Sequence, residues 1–563
     1  MPADALIIDG YVDEPACLGV PPYLSPYIRT LAGVFLSHGM EPRYFTIDQV
    51  RKNPELLAPP LDARVAVMVA GVTVPGAYLG GTPATLTEIQ QIGARLRGLD
   101  RLLAGPIAFG YASGGGRMAV RRAISGFDQI LTGSPAEALD AWIASGKTHG
   151  DQSYGRSDPW SSAGSSIIRQ HPSFPFIMCE IETARGCARS VAGGCSFCTE
   201  PFYGPPRYRT IEGIAGEVAA LYEAGARHFR LGRQPDLLAY GTGQGEFPVP
   251  RPDRIGKLFR AIRDAAPDLR TLHIDNINPG TIARHEQEAR LALEEIVRYH
   301  TPGDVAAFGM ESADPAVVAA NNLKAGPDDV LRAIAVVNEV GADRKEGIPG
   351  LLPGLNFIAG LAGETKATYD LNEAFLNRIL GSGLLVRRVN IRQLMPFEGT
   401  CAWSDHTLGK YPARFREFKE RVRKTFDLPM LRKVFPVGTV LSSIIIEEEG
   451  QLSLGRQMGS YPILAGIPLP VPERTVIDAV VVDHGMRSVT ALPVPVMVNT
   501  LPLAAIRWIP GLSEKRAATI VGMRPLTGLE AFRAVAGVTP IDHLLSFSGP
   551  QTPSSGSGKG VMQ

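Results

Sequence analysis

Apolar and polar positions along the first 150 residues switch between short buried runs and helical spacing. Residues 5–8 predict a strand, 27–38 a helix stopped at Gly39, and 65–70 a second buried strand. Residues 86–96 predict a helix and 105–109 a strand. Gly114, Gly115 and Gly116 open a further predicted helix, and 128–131 and 135–144 close the series. This alternation implies an α/β fold, a doubly wound parallel sheet over residues 1–150. Ligands of such sheets lie beyond the carboxyl ends of the strands. The loops in that place, 11–22, 71–85 and 112–117, are rich in Gly and Pro.

A polar stretch, 150–166, reads as a linker. Strand candidates then recur at 176–181, 228–231, 272–274, 306–310, 354–358 and 388–393, with helical spacing between them. They predict a partial or full β/α barrel over residues 167–425. From 430 to 497 the pattern turns to β-branched runs, 439–446 and 476–482, as in a small β-barrel. Residues 500–548 return to helical spacing around turns at 510–512 and 523–525. The Ser/Gly-rich tail, 549–563, reads as disordered.

Composition narrows the class. With 45% apolar and 20% charged residues the 563-residue chain is an ordinary globular protein, not a disordered or fibrous one. A net charge of +1 gives no overall electrostatic case for nucleic acid or a membrane surface. The longest apolar run, 65–72, falls well short of the ~18 residues that span a bilayer. Asp4 and Asp9 stand where a secretory signal would be basic, so a cytoplasmic protein is expected.

Six cysteines are too few for a disulfide framework, and three of them lie within twelve residues: Cys187, then seven residues, Cys195, two residues, Cys198. Thiolates bind soft metals and iron–sulfur clusters, and a C-x2-C pair on one loop can grip neighbouring irons. Three ligands leave one iron open. Zinc would need a fourth ligand, and no His lies between Cys179 and His228; inert buried thiols are the other alternative.

The motif, following a predicted strand and carrying aromatic Phe197 before its last Cys, resembles the radical SAM superfamily, although that family usually has C-x3-C-x2-C. The resemblance extends in order along about 225 residues. Leu231-Gly232-Arg233-Gln234 is similar to the family's second-strand edge, which meets the methionyl group of S-adenosylmethionine. Gly309 to Asp314, with Glu311 and Ser312, is similar to the fourth-strand end that reaches the ribose. Asn356 to Thr365, with Gly360, resembles the segment that passes the adenine. The resemblance implies a [4Fe–4S] cluster on Cys187, Cys195 and Cys198, S-adenosyl-L-methionine at its open iron, and an external electron donor. Cys179 and Cys401 are isolated and read as packed thiols, and neither they nor Cys17 are expected to ligate the cluster.

A doubly wound domain directly before such a core resembles the cobalamin-binding class of the superfamily. Gly114, Gly115 and Gly116 match the loop where the corrinoid tail approaches the backbone, and Thr73 and Thr82 can hydrogen-bond the nucleotide loop. A ligand-free flavodoxin-like domain is the alternative. The D-x-H-x-x-G pattern is absent, since Asp9-Gly10-Tyr11-Val12-Asp13 holds no His and the first one is His38. Cobalamin here would therefore carry no histidine on cobalt from this loop. Methylthiotransferases of the superfamily add three cluster cysteines in the N-terminal domain; residues 1–178 hold only Cys17.

Within that class the C-x7-C-x2-C spacing and the tail look most like the glutamine C-methyltransferases acting on methyl-coenzyme M reductase in methanogens. The resemblance implies methylation of an unactivated sp3 carbon by methylcobalamin, on a protein or peptide substrate such as the alpha subunit of that reductase, as a post-translational modification. A second reading comes from Ile509-Pro510-Gly511-Leu512-Ser513, Lys515 and Arg516, which resemble a helix–hairpin–helix. Its Gly turn and helix N-terminus can receive a phosphate, as in a tRNA-modifying enzyme, and Trp508 with Leu503 can equally build a protein interface. A non-catalytic cluster or cobalamin carrier is the third reading. Last, Arg388, Asn390 and Arg392 share one face of a predicted strand, and Arg392 is assigned to the S-adenosylmethionine carboxylate or a peptide carbonyl.

Overall fold

The computed structural model describes residues 4–14, 17–58, 63–71, 80–243, 245–345 and 347–548. Thr73 and the 549–563 tail lie outside the described residues. The chain forms two units, one of residues 1–345, 349–430 and 458–461, the other of 346–348, 431–457 and 462–563.

The first unit begins with strands β1 (Ala5–Asp9) and β2 (Tyr23–Leu24), then helix α1 (Pro26–Ser37). Next come β3 (Pro42–Thr46), β4 (Val65–Val69), α2 (Leu86–Arg95), β5 (Asp100–Ala104), β6 (Gln129–Ile130) and α3 (Pro135–Ser145). Strands β3-β1-β4-β5-β6 form one parallel sheet. Every residue of β1 and β4 is buried, as a parallel strand covered on both faces requires. Strand order reverses between β1 and β4, so the crevice for a ligand opens beyond Asp9 and Val69.

Three predicted elements differ. The strand expected at 105–109 is β5, five residues earlier; Gly105, at φ 101°, ends it, and Pro106–Phe109 is a 3-10 turn. Gly114 to Gly116 open no helix. Gly116 is at φ 80°, and glycine gains nothing in a helix to offset its backbone entropy. The polar 150–166 stretch is largely helix α4 (Tyr154–Ala163), seated on α1. A Cβ on Gly33 would lie 1.9 Å from the Trp160 carbonyl oxygen, and one on Gly164 1.9 Å from that of Arg29. Small residues at the crossing let two backbones touch, and the polar pattern hid this because the buried positions Ser157 and Ser161 are serines.

The barrel follows as β7 (Met178–Glu182), α5 (Ile211–Glu223), β8 (His228–Gly232), β9 (Thr271–Ile274), β10 (Asp304–Glu311), β11 (Leu351–Ala359) and β12 (Arg388–Gln393). The order is β2-β7-β8-β9 and β10-β11-β12, all parallel, with Asn276 bridging to Ala307 between the two groups. It is a half barrel whose first edge strand comes from the N-terminal segment. Buried Arg29 of α1 ties the doubly wound part to it, donating to Glu217 of α5 and to the Glu180 carbonyl.

The second unit holds a closed barrel of Val440–Glu448, Ser453–Gln457, Leu464–Ile467, Ser488–Pro493 and Val476–His484. Helices Leu503–Ile506, Glu514–Gly522 and Leu529–Ala536 share its core, in which Val480, Leu492, Ile506, Ile520 and Phe532 pack together. Among the described residues no helix is long and apolar enough to cross a membrane.

Candidate functional site

Cys187, Cys195 and Cys198 stand on the loop that leaves the carboxyl end of β7. The long first spacing folds as a 3-10 turn, Ala188–Ala192, closed by Gly193 and Gly194 at φ 81° and 71°. An added Cβ on Gly194 would meet Pro201 at 2.4 Å, so both left-handed geometry and space demand glycine there. All three are free thiols. Burial pushes the Cys187 thiol up to about 11, and the neighbouring thiol of Cys195 adds to this. Cys195 and Cys198 are raised too, by burial first; Lys324 opposes the shift at Cys195, and the other two thiols reinforce it at Cys198.

The loop is clamped from the segment after β10. Ser196 N and Oγ donate to Asn321 (3.0 and 2.7 Å), and Asn322 Nδ2 donates to the Ala192 and Gly194 carbonyls (2.9 and 2.8 Å). Arg189, inside the spacer, donates to Cys195 Sγ at 3.1 Å and to Asn322 O at 2.7 Å. Lys324 Nζ lies 3.3 Å from Glu311 Oε1. Burial alone would lower the Lys324 ammonium, but Glu311 and the thiols of Cys195 and Cys198 hold it above its usual range.

This donor set fits an iron–sulfur cluster: three thiols on one loop, with two cations beside them to offset the charge that thiolates and cluster would bring. Among the described residues no three His, Cys, Asp or Glu are spaced as for a single metal ion, whereas a four-iron cluster spreads its thiolates further apart. Lys324, Arg189, Asn321 and Asn322 were not singled out by sequence reading. Arg189 could have been, lying between the cysteines; the others declare themselves only when β10 is laid beside β7.

The remaining candidates ring the same carboxyl end. Phe197 packs with Leu361, Leu394 and Ala402. Arg233, fully buried at φ 59°, pairs with Glu200 at 2.6 Å and lies over Tyr203. Glu311 ends β10 at φ 57°; its Oε2 is buried without a hydrogen-bond partner, and burial raises its carboxyl against the pull of Lys324. Ser312 is buried and accepts from Asp314 N at 3.2 Å. Gly360, at φ 99°, donates its N–H to Glu364 Oε2 at 2.7 Å. Gly232 faces the lumen, and the space a Cβ would take holds the Glu180 carboxylate.

Lower in the lumen, Glu180 of β7, Arg230 of β8 and Asp275 past β9 form a wholly buried ion network. Arg388 and Asn390 of β12 both meet Asn356 Oδ1, at 3.5 and 3.2 Å, so this strand face turns toward the lumen. Half-buried Arg392 stands further along it, level with Ile358.

The doubly wound sheet brings its loops to the same end. Gly116 N donates to Leu394 O at 2.9 Å and Ala119 N to Pro396 O at 2.8 Å, just beyond β12. A Cβ on Gly115 or Gly116 would meet Gln393, at 3.3 and 3.1 Å. Exposed Thr82 offers its carbonyl to Arg51. His38 is exposed and bonded to Asp140. In the second unit, Ser513 caps its helix by accepting from Arg516 N at 3.3 Å.

A family model described as the radical SAM superfamily matches residues 181–369. An uncharacterised protein of Archaeoglobus fulgidus is 42% identical over 546 residues, 96% of this chain and 99% of that one. An uncharacterised protein of Methanocaldococcus jannaschii is 41% identical over 86% of this chain and 92% of its own. Among solved structures, the radical S-adenosylmethionine methyltransferase TsrM from Kitasatospora setae, with cobalamin and a [4Fe-4S] cluster bound, aligns at TM-score 0.48 and 14% identity. It covers 71% of this chain and 74% of that one. With its cysteine loop at the head of the matched segment, the chain carries a radical SAM superfamily domain, which implies a [4Fe–4S] cluster and S-adenosylmethionine.

Proposed function

We propose that the protein is a cobalamin-dependent radical SAM methyltransferase that methylates an unactivated sp3 carbon of a protein substrate, a glutamine residue of methyl-coenzyme M reductase. The observation that carries the cobalamin part is the seating of the 112–119 loop, at the ligand end of a doubly wound sheet, on the residues that follow β12. Two ligand-binding ends thus face one another. The glutamine substrate rests on the likeness of the C-x7-C-x2-C spacing.

When bound, cluster and S-adenosylmethionine supply a 5′-deoxyadenosyl radical and methylcobalamin supplies the methyl group. The chain's part is to bind, orient and keep water out. Cys187, Cys195 and Cys198 hold the cluster as thiolates. Because burial raises each thiol, cluster binding must itself drive deprotonation, as metal binding generally does. Lys324 offers a cation to the S-adenosylmethionine carboxylate. The unpartnered Oε2 of Glu311 is an acceptor for a ribose hydroxyl or an ammonium. Gly360 and Phe197 shape the side where the adenine passes. The test is mass spectrometry of a reductase peptide after anaerobic incubation with reconstituted enzyme, methylcobalamin, S-adenosylmethionine and reductant. A gain of one methyl on glutamine supports the reading. Unmodified peptide despite S-adenosylmethionine cleavage sinks the substrate, and failure to bind any corrinoid sinks the cobalamin mechanism.

A further inference from the structure

The amino end of the half barrel is closed by four residues, 458–461, whose neighbours in sequence belong to the second unit. Thr271, first in β9, donates to the Met458 carbonyl at 3.2 Å, and Tyr23, first in β2, donates to that of Gly459 at 2.8 Å. Ser460 N donates to His273 Nδ1 at 2.7 Å and its hydroxyl to the Ile274 carbonyl. Arg387, just before β12, donates to the Tyr461 carbonyl at 2.9 Å. The partners come from two strands and the residue preceding a third, and Thr271, Tyr23 and Arg387 stand at or just before strand starts, so the segment lies at the end opposite the cysteine loop.

Tyr461 does more than seal. Its backbone is held at φ 54°, a conformation that costs a non-glycine residue about 1 kcal/mol or more and persists only where surroundings impose it. The ring enters the lumen beneath the Arg388 guanidinium, 3.6 Å from its centroid. The phenol accepts from Arg230 Nη2 at 3.1 Å and donates to Asp275 Oδ1 at 3.2 Å. One hydroxyl thereby joins the cation of β8, the carboxylate past β9 and, through its ring, the cation of β12. The lumen-facing glycines, Gly232 and Gly354, leave the room: a Cβ on the first would strike Glu180, and one on the second would lie 3.3 Å from Arg388 Cγ.

We propose that Tyr461 is a positioning residue of the reaction chamber, the floor that fixes Arg388 and Asp275 beneath the bound S-adenosylmethionine. This rests on the reading of the chamber as a radical SAM site. Asp275 faces Arg230, Arg388, Glu180, Asn276 and Tyr461; burial raises its carboxyl, and the phenol's hydrogen bond is among the interactions that lower it again. Removing the hydroxyl while keeping the ring therefore shifts Asp275 upward and leaves the packing in place.

The test uses the full chain with its cluster reconstituted, S-adenosylmethionine and dithionite as reductant, and follows 5′-deoxyadenosine against pH and S-adenosylmethionine concentration. Tyr461→Phe is expected to retain wild-type iron and plateau rate while the acidic limb of the profile moves up by about half a unit or more. Tyr461→Leu, which also loses the ring beneath Arg388, is expected to raise KM for S-adenosylmethionine at least fivefold with kcat changed less than threefold. A purely structural residue would lower thermal stability and move neither quantity. If the wild type cleaves S-adenosylmethionine and both variants share its pH profile and KM, the role of Tyr461 is overturned alone. If the wild type carries a full cluster and cleaves none, the functional reading falls and the role of Tyr461 falls with it.

Discussion

The two ends of the half barrel solve opposite problems with the same kinds of residue. At the floor, Glu180, Arg230, Asp275, Tyr23 and Tyr461 pair with one another within the protein, leaving Arg230 Nε without a hydrogen-bond partner, and no solvent reaches the charged members. At the rim, Glu311 keeps a buried oxygen unpartnered and burial raises three thiols that share one loop. Closed networks stabilise a fold, whereas unfinished ones wait for a ligand. The contrast separates residues whose loss should unfold the protein from residues whose loss should only disable it.

Removing the cysteines tests the rim most severely. A Cys187→Ala/Cys195→Ala/Cys198→Ala variant should fold yet lose all of the roughly four irons a [4Fe–4S] cluster brings, and with them S-adenosylmethionine cleavage; retained iron after anaerobic reconstitution would reject the assignment. At the floor, Arg230→Met strands the Glu180 and Asp275 carboxylates and should cost about 3–5 kcal/mol in denaturant unfolding. Adding Glu180→Gln and Asp275→Asn should restore part of that loss, since the penalty is the unpaired charge itself.

Asp9, at the ligand end of β1, extends the comparison to the doubly wound sheet. Burial pushes its carboxyl up to about 7, against hydrogen bonds from Tyr11 N and Tyr44 Oη at 2.9 Å each. Its folded-state value lies above the unfolded one near 4, so its contribution to stability is full below pH 4 and lost as pH rises through 7. Asp9→Asn should remove about 2–4 kcal/mol of pH dependence between pH 4 and 8, seen as a flatter stability profile. An unchanged profile would mean that Asp9 is ionised in the folded protein.

Smaller effects belong at the rim. Glu311→Gln should keep the fold within about 1 kcal/mol while weakening S-adenosylmethionine binding roughly tenfold, the worth of one charge-assisted hydrogen bond. Arg392→Lys should keep fold and cluster and lower cleavage by a few-fold, because an ammonium cannot match a bidentate guanidinium. Equal cleavage in that variant would make Arg392 structural only.

Much of this was legible in one dimension. Strand–helix alternation announced both parallel sheets because a parallel strand buried on both faces is nearly all apolar, as β4 is throughout and β1 is up to Asp9. The cysteine loop was equally plain, since its chemistry depends on local spacing and on glycines that bend it. Helix α4 was not, because its buried face is made of serines that read as linker. Nor were Lys324, Asn321 and Asn322, which reach the cysteine loop across more than 120 residues of chain. Tyr461 lay further still from any signal: nothing in its neighbourhood distinguishes it from a turn residue of a β-barrel. Local spacing determines elements and the ligands of one loop. Only packing decides which distant charge meets which, because a buried ion pair is specified by the meeting of two surfaces and leaves no periodicity in either.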